Sequence, residues 1–170
     1  MTIGKLLSRK YIFLLILLAA VFFSSGQGPA AAPPVKNLIV LIMDGCGDEQ
    51  LTLARWYKGS PLALDAIRTG AVKSFIADSV IADSAPAASA YATGIRTSGK
   101  TISLGPKSKT IPGVPAPSHD LALKPGATVL EGARLLGKAT GIVVTCRISH
   151  ATPAAYLAHV PNRAMEQDIT

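Results

Sequence analysis

The sequence predicts an α/β protein, a three-layer sandwich built on a largely parallel central sheet. Two apolar runs, 37–43 and 141–145, are rich in branched residues and have no polar alternation, the pattern of strands buried on both faces. Between them lie segments bounded by helix-start and helix-stop residues. The order strand, helix, strand, helix, strand is that of a parallel sheet with crossover helices.

Asn37-Leu-Ile-Val-Leu-Ile-Met43 is the first expected strand, ending at Asp44-Gly45. Gly47-Asp48-Glu49 opens a helix through about Tyr57, because acids suit a helix N-terminus, and Gly59 stops it. Leu62 to Arg68 reads as a short helix, and Ala71 to Ile76 as another strand. Asp83-Ser84-Ala85-Pro86 starts a helix, with Ser84 near the cap, Pro86 in the first turn and Gly94 as the stop. Residues 95–125, rich in Gly, Pro, Ser and Lys, predict a long surface loop with a short edge strand at Thr101 to Leu104. Thr128-Val-Leu-Glu131 is a capping box for a helix running to Gly137. Gly141-Ile-Val-Val-Thr145 is the third strand, Pro153 opens a helix through about Val160, and Asn162 suits a further cap.

The N-terminus has a different character. Lys5, Arg9 and Lys10 precede thirteen apolar residues, 11–23, and then small residues Ser24, Ser25 and Gly26. That order predicts a signal peptide over 1–26, and the run is short for a membrane span. Residues 27–36, with Pro29, Pro33 and Pro34, read as a linker, and 37–170 as the folded region. The expected destination is outside the cytoplasm: periplasmic, cell-surface or extracellular. Without cleavage, the same segment anchors the chain to a membrane.

The net charge of +7 falls to +4 once Lys5, Arg9 and Lys10 are set aside. The remaining basic residues are scattered, with a loose group at Lys100, Lys107 and Lys109 and no interleaved aromatics. A nucleic-acid partner is therefore not expected. Cys46 and Cys146 have no metal-ligand spacing; in an exported chain they either pair or stay free.

In open α/β sheets ligands collect beyond the carboxyl ends of strands. Asp44, Cys146 and His150 follow strand segments, and Ser84 follows a strand or loop at 79–82. Taken singly, each polar residue has a plain reading: Asp44 a loop acid, Ser84 a helix cap, Thr152 a loop threonine, Arg163 a surface cation. Three stretches change that reading: Asp44-Gly-Cys-Gly, Asp83-Ser-Ala-Pro-Ala-Ala-Ser-Ala-Tyr-Ala-Thr-Gly94, and His150-Ala-Thr-Pro-Ala-Ala-Tyr-Leu-Ala-His-Val-Pro-Asn-Arg163. Together and in this order they resemble the alkaline phosphatase family, from Asn37 to the end.

The resemblance implies phosphate monoester hydrolysis through a phosphoserine intermediate, with two Zn²⁺ and one Mg²⁺ in a complete site. Ser84 matches the nucleophile and a zinc ligand, activated by metal rather than by a histidine base. Asp44 matches the carboxylate shared by the second zinc and the magnesium, since both ions accept oxygen ligands. Thr152 matches a magnesium ligand, Arg163 the guanidinium that clamps phosphate, and Asp83 the acid that orients that arginine. His150 is an additional magnesium-site candidate. The best-studied bacterial members carry aspartate there, whereas animal and some other bacterial members carry histidine. Cys46 stands where many members have methionine, a packing position.

The family draws its remaining metal ligands from later in a chain of several hundred residues. The resemblance therefore implies a truncated, inactive piece with an incomplete sheet, and a complete enzyme that is a candidate homodimer. Two alternatives remain. A sulfatase needs an arginine where Ala88 stands, and a noncatalytic exported or membrane-tethered module needs no chemistry at all.

Overall fold

The computed structural model describes residues 35–169. The expected signal peptide and most of the linker lie outside these residues. The chain divides into two compact units, Met1–Leu41 and Ile42–Thr170. The described part of the first, 35–41, carries no helix or strand.

In the second unit, helix α1 spans Asp48–Lys58, one residue later at each end than the sequence suggests. The Gly47 N–H donates to Gln50 Oε1 (2.8 Å), and Gly59 closes the helix at φ 68°, a conformation that favours glycine. Only a 3₁₀ turn, Ala63–Ala66, forms in the expected short helix after it. Asp65 in that turn takes a bidentate bond from Arg55 and a third bond from the Leu62 N–H. Arg55 first, and Leu62 second, hold the Asp65 carboxyl down to about 2.

Helix α2 (Ser84–Thr93) ends at Gly94, at φ 74°. Its N-cap is Asp83 rather than Ser84, which is the first helical residue. Helix α3 (Val129–Leu135) has the expected capping box: the Glu131 N–H donates to Thr128 Oγ1 (3.1 Å), and the Thr128 N–H to Glu131 Oε2 (2.8 Å). Helix α4 (Ala151–Leu157) starts two residues before Pro153 and ends before Val160. Its ending has a tertiary cause. Val160 leaves the helix to exchange two backbone bonds with Ile102 (2.9 and 3.1 Å) in an antiparallel bridge.

The core is the contact of α2 with α4. Ala85, Ala88 and Ala92 meet Ala151, Ala154 and Ala155, with Ile102, Val160 and Ile169 completing the cluster. Alanines on both faces let the two helices approach closely, so their N-termini come together.

One expectation fails and another is not confirmed. Residues 97–105 are not a surface loop: Thr97, Ser98, Thr101, Ile102, Ser103 and Leu104 are all buried. Their polar groups bring partners with them. Ser103 donates its hydroxyl to the Ala155 carbonyl and its N–H to Ser89 Oγ (2.8 Å), so burial leaves no bond unmade. Gly105 is required there, because a Cβ would lie 2.0 Å from the Leu121 carbonyl oxygen.

The expected parallel sheet is not confirmed. Among the described residues, 37–43, 71–76 and 141–145 form no strand, and the pairing consists of isolated bridges, Ile102 with Val160 and Leu104 with Pro125. An apolar run states what it would bury, but a strand exists only where a neighbour completes its ladder. These runs have none here, and Val143 is 100 % exposed.

His159 pins α3 to the buried 97–105 segment. Its Nδ1–H donates to the Ser103 carbonyl (2.8 Å) and its Nε2–H to Glu131 Oε1 (3.0 Å). Both partners are acceptors, so the doubly protonated ring fits this position. Burial opposes the charge, but the bonds to Glu131 and Ser103 outweigh it, and the His159 pKa lies above 6.5. The Thr128 N–H first, and His159 second, hold the Glu131 carboxyl below its usual value. The raised histidine contributes stability below its unfolded pKa and loses it as pH rises through the folded one. The depressed glutamate contributes above its unfolded pKa and loses it as pH falls. The pair therefore stabilises most between the two unfolded values, above that of the glutamate and below that of the histidine. Denaturant unfolding of the full-length protein against pH should show stability declining above about pH 6.5. In His159→Gln that alkaline decline should shrink.

Candidate active site

Asp44 sits in a tight turn closed by the Cys46 N–H on the Met43 carbonyl (3.0 Å), with Gly45 at φ 75°. Glycine belongs there because the third residue of such a turn needs a positive φ. The turn aims the Asp44 carboxylate at the N-termini of α2 and α4. Ser84 Oγ donates to Asp44 Oδ1 (2.9 Å) and Oδ2 (3.2 Å). Thr152 Oγ1 donates to Asp44 Oδ2 (3.0 Å). Residues 40 and 108 positions away along the chain thus share one carboxylate.

A second group lies beside the first. Asp83 makes no side-chain cap to its own helix. Its oxygens turn outward instead, Oδ2 accepting from Arg163 Nη1 (3.1 Å) and Oδ1 from the Lys100 N–H (3.1 Å). Arg163 Nη2 also donates to His150 Nε2 (3.2 Å). A guanidinium can only donate, so Nε2 accepts in that contact, while Nδ1 faces the Thr152 N–H (3.5 Å) as the side-chain cap of α4. That nitrogen faces Asp44 Oδ2 at 3.9 Å. His150 therefore lies between the carboxylate and the guanidinium.

All six candidate residues, Asp44, Asp83, Ser84, His150, Thr152 and Arg163, fall in this one cluster. It is open to solvent: the Asp44 side chain is 44 % exposed. Residues that the sequence did not single out brace it. Arg147 binds Glu166 through two bonds (2.8 and 3.1 Å), and Ser149 Oγ donates to the same carboxylate (2.7 Å). Arg147 first, and Ser149 second, hold the Glu166 carboxyl down to about 2. This brace ties the segment before His150 to the segment after Arg163. No local sequence signal marks it, since the partners are 19 positions apart.

The donor set suits hard or borderline cations. One carboxylate and two hydroxyl oxygens converge, the chemistry Mg²⁺ prefers and Zn²⁺ accepts. Among the described residues, no group of three or more His, Cys, Asp or Glu is placed to hold a metal. Cys46 and Cys146 are free thiols, so the pairing left open by the sequence is not made.

A sequence model of the alkaline phosphatase family matches residues 35–170. The chain belongs to the alkaline phosphatase family. It is 36 % identical over 165 residues to streptomycin-6-phosphate phosphatase of Streptomyces griseus, covering 95 % of this chain and 34 % of that protein. It is 36 % identical over 135 residues to alkaline phosphatase of Escherichia coli K12, covering 76 % of this chain and 27 % of that protein. Its fold matches alkaline phosphatase from the Antarctic bacterium TAB5, with a TM-score of 0.58, 27 % identity, and coverage of 74 % of this chain and 33 % of that one. A variant of the TAB5 enzyme that matches equally well has Mg bound in its M3 site. The chain spans about a third, or less, of the length of these alkaline phosphatase relatives.

Proposed function

We propose that the full-length protein carrying this chain hydrolyses phosphate monoesters, with Ser84 as nucleophile. The observation that carries this reading is the shared use of Asp44 by Ser84 and Thr152, beside an arginine oriented by the neighbouring Asp83. Ser84 heads a ten-residue helix, so unpaired N–H groups and positive potential meet an incoming phosphate. Arg163 uses Nη1 on Asp83 and keeps further donors for phosphate oxygens.

In the proposed reaction Ser84 Oγ attacks phosphorus, the ester P–O bond breaks, and the alcohol leaves with a proton. Water then attacks the phosphoserine, the P–Oγ bond breaks, and inorganic phosphate departs. Each displacement inverts phosphorus, so the two together retain configuration. Asp44, Ser84 and Thr152 would hold Zn²⁺ and Mg²⁺, with His150 an additional candidate; when bound, these ions supply positive charge for the alkoxide and the developing phosphoryl charge. The residues here are part of such a set. The 170-residue chain alone is accordingly proposed to bind zinc weakly and to turn over no monoester. Hydrolysis of a simple aryl phosphate by the Zn²⁺- and Mg²⁺-loaded full-length protein, removed by chelation, tests the function.

The same reading extends to fold and location. The largely exposed runs 37–43 and 141–145, together with 71–76, which ends on the buried Ile76, are proposed as strands of a largely parallel sheet once neighbours complete their ladders. Export rests on the basic, apolar and small-residue order of 1–26. Mass spectrometry of the exported product should place its N-terminus near Gln27, and an intact Met1 peptide from cytoplasmic protein would refute this.

A further inference from the structure

We propose that Lys100 is a specificity-determining residue, whose ammonium group receives a second anionic group on the alcohol portion of the substrate. The inference rests on the phosphatase reading above. It adds a substrate class: phosphate monoesters whose alcohol carries a carboxylate or a further phosphate.

An open cleft of about 570 Å³ lies beside the cluster, lined by Ile76, Asp78, Ile81, Asp83, Lys100 and Arg163 among others. Asp83 precedes the nucleophile and Arg163 is its partner, so the cleft borders the place where phosphate would be held. An alcohol attached to that phosphate has this cleft on one flank.

Lys100 is fixed to the site by its backbone. Its N–H donates to Asp83 Oδ1 (3.1 Å), and its carbonyl accepts from the Arg163 N–H (2.8 Å). It adopts φ 64°, a left-handed conformation in which glycine is the unstrained residue. Glycine would make both backbone bonds without strain, so the backbone alone does not account for a lysine. Nor does packing: the residue is exposed, and its ammonium makes no hydrogen bond or ion pair among the described residues. Strain retained beside a reactive group points to a use for the side chain. The neighbouring charges define that use. Arg163 is paired with Asp83, while Asp78 has one oxygen on the Gly99 N–H (2.8 Å). Among the described residues Lys100 is therefore the lining cation of the cleft without a side-chain partner, and an anion placed beside Asp78 instead would be repelled.

The test compares two phosphonates that cannot be hydrolysed, titrated calorimetrically into the full-length protein with Zn²⁺ and Mg²⁺. Methylphosphonate presents only the phosphate-like group, and phosphonoacetate adds a carboxylate. The unaltered protein should prefer phosphonoacetate by about fivefold or more, at low salt. In Lys100→Gly, which relieves the backbone strain, that ratio should fall towards one. It should be restored in Lys100→Arg and enlarged in Asp78→Asn. Equal affinities in the unaltered protein, or a ratio that survives in Lys100→Gly, would overturn the proposal and leave the phosphatase reading standing. If neither phosphonate nor inorganic phosphate binds, the phosphatase reading fails, and this inference with it.

Discussion

Ser84→Ala in the full-length protein should lower turnover of a phosphate monoester by on the order of 10⁴-fold, because it removes the hydroxyl that heads α2 beside the Asp83–Arg163 pair. Thr152 Oγ1, like Ser84 Oγ, donates to Asp44, but it lies at the start of a different helix from the one whose cap, Asp83, pairs with Arg163. The fold should survive the change. Ser84 is the first residue inside α2 rather than its cap, and its hydroxyl bonds only to Asp44. An unchanged circular dichroism spectrum and melting temperature, with inorganic phosphate still bound through Arg163, would separate lost chemistry from lost structure. A near-normal rate would remove Ser84 from the mechanism.

Asp44→Asn should be nearly as damaging, for a different reason. The carboxylate accepts from two hydroxyls and carries the negative charge that a divalent ion would need. Asparagine has almost the same shape but keeps one accepting oxygen and no charge. Ser84 and Thr152 would then compete for that oxygen. Metal affinity should fall by about 100-fold, and turnover at limiting metal with it. Excess Zn²⁺ and Mg²⁺ should restore part of the activity in Asp44→Asn and none in Ser84→Ala. That contrast distinguishes a metal-holding residue from a nucleophile.

The sequence is most legible where the physics is local. Gly47 and Gly59 bracket α1, Gly94 ends α2, and Thr128 with Glu131 opens α3, because each of these signals acts within a turn of its own helix. Long-range effects are harder to read. Asp83 takes the cap position that Ser84 was expected to approach, and spends its carboxylate on Arg163, 80 positions away. Val160 leaves the expected helix because Ile102 offers it a backbone partner. The 97–105 segment looks like a surface loop, since its serines and threonines are polar by composition. It is buried because each finds a partner inside, as Ser103 does on Ala155 and Ser89.

The apolar runs show the opposite limit. Leu38, Ile39, Leu41 and Val143 carry the composition of buried strands, yet all are exposed. Composition reports a preference for burial, and only a neighbour can satisfy it. The candidate site residues stand out in the sequence for a further reason. Three short stretches hold all six of them, so one resemblance located each position, although the contacts between them span up to 108 residues.

The central claim is that Ser84 becomes phosphorylated during turnover. The direct measurement is acid quenching of the metal-loaded full-length protein during hydrolysis of a monoester, followed by peptide mass spectrometry. The account predicts one phosphoryl group on the peptide spanning Asp83 to Thr93, localised to Ser84, and absent from Ser84→Ala. Active turnover with that peptide unmodified, or with the phosphoryl group on Thr152 or Ser89, would contradict it.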